Sequence, residues 1–152
     1  MKSLLLILFL NFSAYSNDIN TIREAYLLAY TSESNCNAFG EKLMEIKDSK
    51  SILIKGYEAC FYFIKCKFIK NPIDKLIYFN KGKKMLELSI QKDPESIELR
   101  FLRYTIQKNL PRFLLYHNNI EKDLTFVKEN LNNIADKYIK KFILTSIDSI
   151  NK

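Results

Sequence analysis

Arg100 and Arg103, three positions apart with Gln107 one turn further on, stand on an otherwise apolar stretch that begins at Ile97. At that spacing two guanidinium groups share one side of a helix, where they can fork around a carboxylate or a phosphate. Tyr104, Lys108 and Arg112 extend the neighbourhood and give it a basic, aromatic character. These six residues are the candidate binding set. The same chemistry also has an internal use, in which each arginine pairs with a Glu or Asp on an adjacent helix and no ligand is involved.

Cys36, Cys60 and Cys66 are the next reactive groups. If two antiparallel helices turn near Asp48, Cys36 and Cys60 each lie twelve residues from the turn and at the same level. A Cys36–Cys60 disulfide is then the expected bridge, and free buried thiols acting as small apolar groups are the alternative. Cys66 cannot pair with Cys60 on one helix, because six residues rise about 9 Å. His117 is the single histidine and has no neighbour that would orient it for nucleophilic catalysis. No spacing of His and Cys suits a metal, and no glycine-rich phosphate loop is present, so neither cofactor nor metal is expected. Glu121 and Asp123 fall in the first turn of a helix, where the macrodipole accounts for them. In the stretch from Phe61 to Lys70, Lys65 and Lys67 point about 200° apart on a helix. That stretch reads as a core-facing aromatic stripe with solvated lysines.

The elements that must position these groups are helical. Three Gly and three Pro leave few hairpin turns, so a β-rich fold is not expected. Asp18 or Thr21, the latter within a Thr21–Glu24 capping box, opens a first helix. A second runs from about Ser34 to Lys47, and a third, capped by Asp48 or Ser49, runs to about Ile69. Asn71-Pro72 marks a sharp start for the fourth, which reaches Lys92. The fifth follows Pro94 and ends near Asn109 before Pro111. After a single turn at Pro111–Tyr116, Asn118 to Glu121 form a second capping box. Asn132-Asn133 divides the remaining chain, leaving a last helix from about Ile134 to Ile150.

The fifth helix is apolar on two sides. Ile97, Phe101 and Tyr104 share one face, and Leu99, Leu102 and Ile106 share the opposite one. It therefore has neighbours on both sides, as a helix inside a stack does. Gly82, Leu86, Ser89 and Pro94 reproduce the small–large–small–Pro spacing that closes the second helix of a tetratricopeptide repeat, and the adjoining "DPESIEL" resembles that family's inter-repeat junction. The match covers roughly a sixth of the chain. It departs from the family at Asn71-Pro72, where the repeat's first helix is continuous, and at Tyr104, where the next repeat has a small residue. The resemblance implies an α-solenoid that binds peptides or proteins in a groove and is not itself a catalyst. The expected fold is all-α: stacked antiparallel helix hairpins, either a solenoid or a compact right-handed array of about seven helices.

Residues 1–16 read as a signal peptide: Lys2, the apolar run Leu4–Leu10, then Ala14-Tyr15-Ser16. Residues 17–152 form one domain of a size that sustains its own core. No later stretch is apolar for the length a membrane span needs. An apolar content of 47% with 27% charged residues fits a globular chain. The net charge of +7 is spread along the sequence rather than gathered in a tail. The functional expectation is an exported, non-enzymatic protein- or peptide-binding module of the bacterial envelope, with no specific nucleic acid as partner. An anionic envelope component bound through the distributed charge is one alternative, and a hydrolase with an unrecognised site is another.

Overall fold

The computed structural model describes residues 19–46 and 50–150. The expected signal peptide, Asp18, Asp48 and Ser49 lie outside them. Among the described residues there are seven α-helices and no strand: α1 (residues 19–29), α2 (Glu33–Glu45), α3 (Ile52–Lys65), α4 (Pro72–Lys92), α5 (Ile97–Asn109), α6 (Ile120–Asn130) and α7 (Lys137–Ile150). The chain is all-α.

Most starts follow from capping chemistry. Ser32 accepts from the Asn35 N–H, Ser51 from Ile54, Asn71 from Ile73 and Ser96 from Leu99, each satisfying a donor with no partner inside the helix. Three expected boundaries are corrected. Thr21 lies inside α1, which already includes Ile19, so it does not precede the helix as a cap. The third helix stops at Lys65 rather than Ile69. The Lys67 and Phe68 N–H groups reach back three residues, to Ile64 and Lys65, and tighten the chain so that it can reverse into α4. The Asn118 capping box does not form: Asn119 is the N-cap, its side chain makes no cap bond, and its N–H donates instead to Gln107 Oε1. The break beyond α6 is present as one 3-10 turn, Leu131–Asn133.

The α3–α4 pair runs antiparallel. Across α3 and α4, Cys66 meets Lys75 at one end, Tyr62 meets Tyr78 and Phe63 meets Phe79 in the middle, and Ala59 meets Gly82 at the other end. A Cβ on Gly82 would lie 3.0 Å from the Ala59 carbonyl oxygen, so the missing side chain is what lets these two backbones approach. The α5–α6 pair repeats the pattern through Arg103–Asp123 and Gln107–Asn119.

α5 sits at the centre. Phe101 and Leu102 are both 0% exposed although they point in different directions, as the two-faced pattern requires. Leu99 packs so closely on α3 that a Cβ on Gly56 would stand 2.3 Å from its Cδ2. On another side the Phe101 ring meets Phe142 of α7 edge-on at 5.4 Å. α7 in turn closes onto α1, with Phe142 against Tyr26 and the Tyr138 hydroxyl donating to Glu24.

Candidate binding cleft

The six residues of the candidate binding set do not form one surface. Arg103, Tyr104 and Gln107 are buried, Arg100 is half-buried, and Lys108 and Arg112 are exposed. Arg103 is consumed by carboxylates of the fold: Nε and Nη2 donate to Asp123 at 2.6 and 2.9 Å, and Nη1 donates to Glu87 at 2.7 Å. Arg100 donates to Asp123 at 3.3 Å and to the Pro94 carbonyl, and it lies over the Phe126 ring. Asp123 is wholly buried, and its carboxylate oxygens are met by both arginines. The expected clamp is an internal ion cluster between α5 and α6. Burial works against the Arg103 charge, but Asp123 and Glu87 outweigh it and hold the guanidinium pKa above its ordinary value.

A second buried ion pair ties α1 to α5. Arg23 grips both oxygens of Glu98 at 2.7 Å, and the Tyr57 hydroxyl donates to the same carboxylate. Neither residue stands out by its sequence context. Cys36, Cys60 and Cys66 are free, so the Cys36–Cys60 bridge is not formed. Cys36 and Cys60 are both buried, and burial pushes both thiols up from their ordinary pKa. His117 Nε2 donates to the Leu110 carbonyl at 3.0 Å, which places the ring in a loop contact. Among the described residues no group of three His, Cys, Asp or Glu is placed to hold a metal ion.

A cleft of about 960 Å³ is bounded by α1, the α3–α4 turn, the end of α5 with the loop after it, and the end of α7. Its floor is made by Tyr26, Phe63, Ile64 and Ile106, all buried. Its rim is apolar and exposed: Leu27 is 48% exposed, Leu76 54% and Phe113 79%. The first two turns of α4, residues 72–77, are exposed along their whole length and form one wall. Ile73 and Ile77 occupy the far side of that same free helix end and are also exposed.

The hydroxyls and the Asn109 amide N–H along the cleft are engaged within the fold. The Thr105 hydroxyl donates to the Leu102 carbonyl and shares a 2.7 Å bond with Tyr26. Ser146 donates to Phe142, Ser149 to Ser146 and Asn109 to Thr105, all to backbone carbonyls at 2.8 Å. Burial holds the Tyr26 and Tyr30 hydroxyls well above the usual tyrosine pKa, so the floor stays uncharged. Cys66 lines the same cleft, its thiol raised by burial while the Lys75 ammonium pulls the other way. The lining holds no imidazole and no carboxylate side chain. Apart from Lys67 and Lys75, the lining is largely apolar.

Sequence reading missed this cleft because its walls come from segments far apart in the chain. One signal was available. Ile73, Leu76 and Ile77 add apolar residues to α4 beyond those of its core face, Phe79, Leu86 and Ile90, before any partner helix is close enough to cover them. Among the described residues, no helix is long and apolar enough to cross a membrane. Compared with protein-family models, with curated proteins and with solved structures, the chain finds no match.

Proposed function

We propose that this chain is an exported, non-enzymatic binding module whose cleft receives the apolar face of a helix from a peptide or partner protein. The observation that carries the reading is the pairing of an exposed apolar rim, Leu27, Leu76 and Phe113, with lining hydroxyl and amide groups already engaged inside the fold. A segment bound there receives little hydrogen bonding from the walls. An α-helix meets that condition because it satisfies its own backbone groups, whereas an extended peptide needs a sheet edge or a polar groove. The volume stands at the upper end of the range for small-molecule pockets, and the apolar surface runs past the cleft onto Ile73 and Ile77. An occupant larger than a small molecule covers both.

The test uses residues 17–152 and a fluorescently labelled amphipathic peptide with a leucine face. Wild type is expected to bind it and raise its helicity. Leu76→Glu with Phe113→Glu, both exposed and so compatible with folding, is expected to weaken binding at least about tenfold, since each charge would have to be buried against the peptide's apolar face. Unchanged affinity in that variant removes the cleft as the site. Binding that instead collapses with added salt in proportion to many displaced counterions would favour an anionic polymer held by the distributed positive charge.

A further inference from the structure

The charged side chains that line the cleft are both lysines, Lys67 and Lys75, and both stand at its α3–α4 end. Cys66 lies between them: it precedes Lys67 in the chain, and its Sγ donates to the Lys75 carbonyl at 3.4 Å. Both lysines are exposed, and neither forms an ion pair with a carboxylate among the described residues. The Lys67 ammonium donates to the Tyr30 carbonyl at 2.8 Å, at the mouth of the cleft. Several less exposed cations elsewhere in the fold have carboxylates of their own, whereas Lys83 lies over the Tyr116 ring and Lys140 donates to Asn132. Lys65 meets Glu33, Lys55 meets Glu58, and Arg23, Arg100 and Arg103 are all paired. Positive charge without a carboxylate thus stands at one end of an otherwise neutral, apolar trough.

We infer that the cleft selects an acidic amphipathic helix, one whose apolar face fills the trough and whose Glu or Asp residues, at one end, meet Lys67 and Lys75. This rests on the helix-binding reading above and adds the partner's charge and the direction in which it lies. A helix whose acidic residues sit at its C-terminal end is favoured further, because the negative pole of its dipole then points at the same two lysines. Complementary charge at the rim of an apolar contact chooses the partner and its orientation more than it supplies affinity.

Two labelled peptides with one leucine face test it, the first with glutamates on its polar side and the second with lysines in the same places. Fluorescence anisotropy at low salt is expected to show wild type binding the acidic peptide roughly 3–10-fold more tightly than the basic one, as two exposed ion pairs allow. Lys67→Glu with Lys75→Glu is expected to invert that order while leaving circular dichroism and melting unchanged, because both side chains lie at the surface. Equal affinity for the two peptides, or preference for the basic one, overturns the charge inference and leaves helix docking standing. Failure of both peptides to bind overturns docking and charge together. Sodium dodecanoate is the third probe: if it binds where both peptides fail, the occupant is a single acyl chain and the helix assignment is rejected.

Discussion

Removing the carboxylate of Asp123 isolates the internal ion cluster from everything else the protein does. In the folded chain Asp123 accepts two bonds from Arg103 and a longer one from Arg100. Asp123→Ala leaves Arg103 Nε and Nη2 without an acceptor on a side chain only 6% exposed, with Glu87 as its one remaining carboxylate. Hydrogen bonds to charged groups contribute about 1.5–3 kcal/mol each, and truncating one partner of a buried pair costs about 3–5 kcal/mol in all. The expected loss is therefore about 3–5 kcal/mol. For a domain of this size, at about 2–4 °C per kcal/mol, the melting point falls by roughly 6–20 °C. Urea titration monitored by circular dichroism measures the loss. Arg100→Ala is the internal comparison and should cost less, because Arg100 holds Asp123 at 3.3 Å through one bond and is the more exposed of the two arginines. Asp123→Leu combined with Arg103→Met removes both charges together and should recover much of the loss. A decrease below about 1 kcal/mol for Asp123→Ala, the scale of a surface ion pair, would refute the claim that this cluster is structural. It would also return Arg100 and Arg103 to candidacy as ligand contacts.

Phe101→Ala and Leu102→Ala should each cost about 2–5 kcal/mol by the same titration, because both are fully buried; if either variant keeps wild-type stability, α5 is not enclosed on that side. With a small alkylating reagent on the native protein, Cys66 should react first, with Cys36 and Cys60 protected until unfolding; recovery of a Cys36–Cys60 crosslinked peptide without added oxidant contradicts the free thiols. Alkali should destabilise the fold. Burial raises the Tyr26, Tyr57 and Tyr116 hydroxyls above the unfolded value of about 10, so their contribution is whole below that pH and is lost above it as the unfolded chain releases protons that the folded one keeps. The slope is about 1.4 kcal/mol per pH unit for each such tyrosine, and Tyr57→Phe should reduce it by one tyrosine's share; an unchanged slope rejects this account.

What was legible in the sequence was local. Asn71-Pro72 announces the start of α4 because Asn caps and Pro suits the first turn, and the structure begins α4 at Pro72. The opposed faces of α5 were readable because 3.6-residue periodicity needs only the chain itself. Arg103 was readable as a strong cation, but whether it faced a ligand or Asp123 depended on the register between α5 and α6, which no spacing within either helix contains. The Asn118 capping box failed for the same kind of reason: Gln107, a dozen residues earlier, takes the Asn119 N–H. The cleft was least readable of all. Leu27, Leu76 and Phe113 are ordinary apolar residues in their own segments and acquire meaning only where α1, α4 and the loop after α5 leave a gap.

The position of α5 carries a consequence for how this domain can change. Its side chains meet α3 through Leu99, α6 through Arg103, α7 through Phe101 and α1 through Glu98. In an open repeat protein each unit touches only its neighbours, so units can be lost from an end or duplicated while the remainder stands. Here the outermost helices are not expendable, because each covers a side of the same central one: loss of α1 orphans Glu98, and loss of α7 uncovers Phe101. The set of helices around the shared centre is therefore expected to resist trimming and to melt as one unit.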